Sequence, residues 1–186
     1  MRVIGAALKR DPTGEKVYAE RLKRYLKLLG VEKIILVNTL EQKSSEENIF
    51  REFSGESMDG IGIVHLTVDL SGYNREKLNF LERAMNSADL SVKVKLVEVI
   101  EDSINRYLEE LWDYPERVNS DLTDSIFKAK HALISDLIYE YEKVSWIGPN
   151  NAIINSLGKL PASETLAILV EPERRYYIKE KLESLG

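Results

Sequence analysis

The start of the chain carries the feature that most limits its fold: two apolar runs separated by a helical pattern. Residues 3–8 form a short run of small and β-branched apolar side chains, and Asp-Pro-Thr-Gly at residues 11–14 interrupts it. From residue 15 the apolar side chains recur at spacings of three and four, which predicts a helix that ends at Gly30. The second apolar run covers residues 33–37. A strand, a helix and a second strand in this order are typical of a parallel α/β domain.

Further apolar runs predict three more strands, at residues 60–70, 91–100 and 165–170. In the second of these, apolar residues alternate with two lysines, and this period of two predicts a strand with one wet face near the sheet edge. Segments with helical periodicity separate the runs. We therefore predict a single α/β domain over residues 1–186, three-layer and Rossmann-like, with a mainly parallel sheet of about five strands and helices on both faces.

The longest helical pattern covers residues 123–145, which would give a helix of roughly 33 Å. Its apolar positions form a stripe that is too wide for one contact surface. Either this helix is enclosed within the domain, or it covers the sheet and also meets a partner subunit. An earlier helix is predicted to begin at Asn74, whose side chain would cap it.

Composition excludes several classes of protein. The chain has no cysteine, which excludes disulfides, zinc–thiolate sites and thiol chemistry. Its formal net charge of −5 gives no general attraction to nucleic acid, and we expect no duplex nucleic acid as a partner. The apolar runs are far shorter than the ~20 residues of a membrane span, so we expect a cytoplasmic protein without a membrane partner. Lysine and glutamate are abundant beside a single glutamine, a bias typical of thermophile proteins.

The candidate ligand-binding residues follow from the predicted sheet. In open parallel sheets, ligands bind beyond the carboxyl ends of the strands, where the strand order reverses, and helix N-termini there suit phosphates. The chain contains neither G-x-G-x-x-G nor G-x-x-x-x-G-K-[ST], so no standard nucleotide motif marks these loops. The alternative is that their residues only form turns and helix caps. The loops after the first and third predicted strands supply Lys9, Arg10, Asp11, Thr13, Asp69, Ser71, Gly72 and Asn74, with Arg174 and Arg175 further out.

The turn after the third predicted strand reads Asp69-Leu70-Ser71-Gly72-Tyr73-Asn74. With its flanking residues it resembles the CRISPR-associated Rossmann-fold domains, whose strand commonly ends in Asp-Leu-Thr-Gly-Gly or Asp-hydrophobic-Thr-His-Gly-x-Asn. The chain has one glycine instead of two, and Tyr73 interrupts the pattern. The resemblance covers residues 61–100. It implies a homodimer that binds a cyclic oligoadenylate across its two-fold axis, as a stand-alone sensor or a ring nuclease.

Neither histidine has the setting of a catalytic or metal-binding residue. His65 lies in an apolar strand and is predicted to be a core histidine, whereas His131 is predicted to lie at a surface or an interface. No close metal-ligand spacing is found, so no metal site and no cofactor are predicted. Trp146 follows the longest helix and is predicted to fill the core there. No catalytic residue is assigned.

Two classes of function remain open. The first is a small-ligand-binding domain for a nucleotide or another phosphorylated compound. Lys9 or Arg10 would stabilise charge and Thr13 or Ser71 would orient a hydroxyl, so cleavage of a phosphodiester is compatible with this site. The second is a non-enzymatic, homo-oligomeric assembly protein, suggested by the wide apolar stripe over residues 123–145. A homodimer is expected in both cases.

Overall fold

The computed structural model describes residues 1–7, 17–39, 53, 55–109, 112–160 and 163–185. The strands of this part are β1 (Arg2–Gly5), β2 (Lys33–Thr39), β3 (Ser57–Met58), β4 (Ile61–Val68) and β5 (Leu166–Val170). They form one sheet in the order β1-β5-β2-β4-β3. β1, β5, β2 and β4 are parallel, and β3 joins the edge as an antiparallel strand. The prediction of an α/β fold with a mainly parallel five-stranded sheet is confirmed.

Seven α-helices connect and cover the strands in the described part of the chain. They are α1 (Val17–Leu28), α2 (Ser71–Met85), α3 (Ala88–Glu109), α4 (Pro115–Val118), α5 (Asp121–Glu142), α6 (Gly148–Leu157) and α7 (Pro172–Leu185). A π-helical turn, Lys143–Ile147, joins α5 to α6. Gly30 follows α1 with φ of 68°, the left-handed conformation that glycine adopts without steric cost. None of the helices described is long and apolar enough to cross a membrane.

Alternate residues of β2 enter two different hydrophobic clusters, as the alternation of side chains along a strand requires. Ile34 and Leu36 pack in a cluster that includes Leu22 and Leu26 of α1. The neighbouring β2 residues pack in a second cluster with side chains of α6 and α7. β5 lies between β1 and β2, and each of its five residues is buried. The core is therefore built around β5 and β2.

The strand predicted at residues 91–100 is wrong, because these residues lie inside α3. Val97 is buried and Val94 packs beside it in a cluster between helices. Val92 and Leu96 are exposed on another side of the same helix. The buried and the exposed apolar residues of α3 lie on two sides of one helix. Over a few residues, their combined pattern resembles the alternation of a strand. No glycine or proline interrupts α3. The fifth strand of the sheet is instead the short β3.

The predicted start of the next helix at Asn74 is also wrong. α2 begins at Ser71 and Leu70 occupies the N-cap position. Asn74 lies in the first turn, where its backbone N–H donates to the carbonyl oxygen of Leu70 at 3.1 Å. The helix therefore starts directly after the two residues that follow β4.

α5 is not one straight helix, as the pattern over residues 123–145 had predicted. Ile138 interrupts it with non-helical angles, φ −149° and ψ 79°. His131 and Glu142 would lie roughly 16 Å apart along a straight helix, yet their side chains are 2.7 Å apart. The break therefore turns the end of α5 back on itself. Of the apolar stripe, Phe127, Ile134, Ile138 and Tyr141 are buried within the chain, whereas Leu133 is exposed.

Two side chains cover the outer side of the edge strand β1. The side chain of Asn119 accepts the N–H of Gly5 at 2.8 Å and donates to the carbonyl oxygen of the same residue at 3.0 Å. Arg175 donates from Nε to the carbonyl oxygen of Val3 at 3.3 Å. Backbone N–H and C=O groups of an edge strand that are already hydrogen-bonded in this way are less available for pairing with another strand, which limits edge-to-edge association.

Candidate functional site

The carboxyl end of β4 leads into a short acidic turn. Asp69 Oδ1 accepts the backbone N–H of Ser71 at 2.9 Å. This backbone hydrogen bond lowers the pKa of Asp69, whose carboxylate is open to solvent. A Cβ atom built on Gly72 would meet nothing within 4 Å, so the first turn of α2 is open on that side. The turn therefore offers an exposed carboxylate beside an accessible stretch of backbone.

The structure separates the predicted ligand-binding residues into two groups. Asp69, Ser71 and Gly72 are exposed and Asn74 is half-buried, all within one turn. Lys9, Arg10, Asp11 and Thr13 lie outside the described residues. The strands that precede the two loops, β1 and β4, end at the same edge of the sheet because they run parallel, but β5 and β2 lie between them.

Tyr73 connects the turn after β4 to the start of α6. A Cβ atom on Gly148 would lie 2.8 Å from Cδ1 of Tyr73 and 3.1 Å from the carbonyl oxygen of Lys143. Such a close approach is possible because glycine has no side chain. The turn after β4 is thus packed directly against the π-helical turn and α6.

We expect Gly148→Ala to lower the free energy of unfolding by about 1 to 3 kcal/mol, because the new methyl group displaces the ring of Tyr73. Urea unfolding measures the loss. Gly72→Ala is the matched control, since its methyl group meets open space, and its effect should stay within about 0.5 kcal/mol. Equal stability of the Gly148→Ala variant and the parent protein would contradict the packing of Tyr73.

Arg174, at the start of α7, is held by groups from three elements. Its Nε donates to Glu171 Oε2 at 3.1 Å and its Nη1 donates to Asn150 Oδ1 at 2.9 Å. The guanidinium also lies over the ring of Trp146, 5.4 Å from the centroid. Asn150 is fully buried and donates to the carbonyl oxygen of Trp146 at 2.9 Å. Arg174 therefore ties α7 to α6 rather than extending towards a ligand.

Beside this contact lies a buried ionic cluster that joins α5 to α7. It consists of Lys130, His131, Glu142 and Glu173. Lys130 Nζ lies 2.5 Å from Glu173 Oε1. The two ring nitrogens of His131 face two carboxylates, Nδ1 with Glu142 Oε1 at 2.7 Å and Nε2 with Glu173 Oε1 at 2.8 Å. Glu101 of α3 approaches Lys130 at 3.7 Å. With His131 protonated, the four members carry two positive and two negative charges.

Contacts within the cluster shift the pKa values of His131 and Glu173. Burial alone would lower the pKa of His131, but the hydrogen bonds to Glu142 and Glu173 outweigh burial and raise it above its usual value. Burial alone would raise the pKa of Glu173, but His131 and Lys130 outweigh it and hold that pKa at about 2. The protonated imidazole between two carboxylates is therefore the state that the surroundings favour.

An aromatic layer covers the histidine of the cluster. The ring of Trp146 stacks on His131, with centroids 3.7 Å apart and planes 12° apart. Tyr176 lies beside both rings, with its ring centroid 6.1 Å from that of His131 and 6.3 Å from that of Trp146. The prediction that Trp146 fills the core is confirmed, because the residue is buried in a cluster with Tyr176.

The ionic cluster is better suited to holding helices together than to chemistry. Both nitrogens of His131 are engaged by carboxylates, so the ring offers no lone pair to a substrate while it is protonated. Among the described residues, no group of three or more histidine, aspartate or glutamate side chains is placed to hold a metal ion.

The two histidines have environments opposite to those predicted. His131 is buried, with 7% of its surface exposed, and His65 is exposed on β4 with Nδ1 3.2 Å from Asn38 Nδ2. One sequence signal indicates the burial of His131, because this polar residue lies at helical spacing from Phe127 and Ile134. The partners Glu142 and Glu173 could not be found in this way, because they reach His131 through the break in α5 and from another helix.

No family model, no curated protein and no solved structure matches the chain. The proposed function therefore rests on the geometry of the sheet edge.

Proposed function

We propose that the chain is a small-ligand-binding domain with a three-layer, Rossmann-like arrangement. Its ligand would be a nucleotide or another phosphorylated compound bound at the carboxyl edge of the sheet. One observation carries this proposal: the direction of the strand connections reverses. The chain passes from β1 across to β2 and on to β4, and then returns to place β5 between β1 and β2. In open parallel sheets, ligands bind in the crevice that such a reversal leaves.

The described part of this edge favours hydrogen-bond donors of the ligand over its phosphates. Asp69 already accepts the N–H of Ser71, so its carboxylate occupies the position where a phosphate would bind at α2. An exposed carboxylate suits ribose hydroxyls or base amino groups instead. Phosphate recognition would fall to Lys9 and Arg10, which follow β1 in the sequence.

The separation of the two loops favours an extended ligand. β1 and β4 are three strand spacings apart, which at about 4.8 Å each amounts to roughly 14 Å. A ligand held at the carboxyl ends of both strands would span this distance. The cyclic oligoadenylate implied by the resemblance to CRISPR-associated Rossmann-fold domains is of this kind. Since residues 91–100 are helical, the support for that resemblance comes from the strand and turn over residues 61–74.

Isothermal titration calorimetry with ATP, AMP, a linear dinucleotide and cyclic oligoadenylates tests the proposal. We expect binding of at least one nucleotide, and loss of binding in Arg10→Ala and Asp69→Asn. Arg24→Ala is the matched control for Arg10→Ala, because Arg24 is exposed on α1 and its loss removes one positive charge as well. The absence of heat with every nucleotide at millimolar concentration would reject the proposal.

A further inference from the structure

α3 carries an apolar stripe on its outer side. Val92, Leu96, Val99 and Tyr107 are exposed by 60%, 46%, 61% and 48%. The first three are spaced by four and three residues, which is the spacing of a seam between two helices. Ser103 continues that spacing and is also exposed. From Val92 to Tyr107 the stripe is roughly 22 Å long.

This stripe is separate from the side of α3 that packs inside the chain. Val97 is buried in a cluster with residues of α2 and α5, and Val94 packs against it. Leu108 is buried in the cluster of Trp146, and Ile104 packs there. The inward side of α3 thus packs against the rest of the chain, and the outer stripe is an additional apolar surface.

The charges beside the stripe change sign along α3. Lys95 immediately precedes Leu96, and Asp102 immediately precedes Ser103, so both flank the seam in the same way. A parallel copy of α3 would place Lys95 beside Ile100 and Asp102 beside Tyr107 of the second copy, so neither charge would gain a partner of opposite sign. An antiparallel copy would place Lys95 next to Asp102 of the second copy, and the two-fold axis repeats this contact. The charge pattern therefore selects an antiparallel copy of the same helix.

We propose that the chain forms a two-fold symmetric homodimer through antiparallel α3 helices. Leu96 of each copy packs against Val99 of the other, Val92 packs against Ser103, and two Lys95–Asp102 pairs flank the seam. A contact through one helix buries less surface than the about 800 Å² per partner of a standard interface. Dimer and monomer therefore exchange in a concentration-dependent equilibrium. The proposal does not depend on ligand binding.

Charge reversal tests the arrangement without changing the buried side of α3. Sedimentation velocity over a concentration series gives the dissociation constant of the dimer. We expect Lys95→Asp alone and Asp102→Lys alone each to raise it by about tenfold, since each variant creates two like-charged contacts. The double variant restores both pairs and should return the constant to that of the parent protein. A double variant as weak as the single ones would overturn the antiparallel arrangement.

Replacing an apolar residue of the seam by a charged one tests the seam itself. Leu96→Lys should leave only monomer, because it places two ammonium groups in the centre of the contact. Leu28→Lys is the matched control, since Leu28 is 82% exposed on a different helix, α1. Circular dichroism confirms that the variants remain folded. A monomer at every concentration of the parent protein, or a dimer that withstands Leu96→Lys, would overturn the proposal, whether or not a nucleotide binds.

Discussion

Replacing Glu142 by alanine should lower the free energy of unfolding by about 3 to 5 kcal/mol, the usual cost of removing one partner from a buried ion pair. Glu142 is 2% exposed and its Oε1 lies 2.7 Å from His131 Nδ1. Without this carboxylate, His131 keeps its stack on Trp146 and its contact to Glu173 but loses the acceptor for one N–H. A buried donor without a partner carries its full desolvation cost.

Glu140→Ala is the matched control for this prediction. Glu140 precedes Glu142 by two residues, and its contact with Arg83 at 2.6 Å is exposed on both sides. Its removal should cost no more than about 1 kcal/mol. Urea unfolding gives both values, and proton NMR of His131 gives a second readout. The pKa of His131 should fall in Glu142→Ala, since the hydrogen bond to Glu142 is the strongest influence that raises it. Equal losses in the two variants would contradict the buried pair.

The strands of the sheet centre were predictable from sequence because a strand that is buried on both faces consists almost entirely of apolar residues. β2 and β5 are near-continuous apolar runs of the kind that parallel sheets require, whereas β4 has His65 and Thr67 exposed on one face. β3 could also have been found. Asp59 and Gly60 both have positive φ, 50° and 85°, and link it to β4 in a two-residue hairpin. An Asp-Gly pair is a strong signal for such a turn.

Local pattern failed where tertiary packing decided the structure. Over residues 91–100, one buried and one exposed helical stripe together resemble an alternating strand, and only the contacts of α2 and α5 distinguish them. At Ile138 no glycine or proline marks the break in α5. Its stabilising contacts, such as His131 with Glu142, form only after the chain has turned back.

The candidate site was predictable only in part for the same reason. The sequence places Asp69 and Ser71 directly after an apolar strand, and parallel pairing then brings that turn to the carboxyl edge of the sheet. It does not show that Asp69 accepts the N–H of Ser71, which places a carboxylate at the first turn of α2. Nor does it show the contact between Tyr73 and Gly148, whose residues are far apart in sequence.

Glu173 gives the ionic cluster a stability that acid should remove. Its pKa is about 2, against 4.5 for an ordinary glutamate, although its side chain is 29% exposed. At about 1.4 kcal/mol per pKa unit, and allowing for solvent at the exposed part, this contributes about 2 to 3 kcal/mol. Because the pKa is lower in the folded state, the contribution is complete above about pH 4.5 and is lost as the pH falls towards 2.

Glu173→Gln should therefore cost about 2 to 3 kcal/mol at neutral pH, and the difference from the parent protein should shrink as the pH is lowered to about 3. Urea unfolding over this range measures it. Glu180→Gln is the matched control on the same helix, because its contact with Lys128 is exposed and should contribute at most about 1 kcal/mol at any pH. A Glu173→Gln loss that stays constant with pH would show that Glu173 acts through packing, since removal of a packing contact does not respond to protons. The convergence of the two curves in acid is what identifies the charge, held between Lys130 and His131, as the stabilising group.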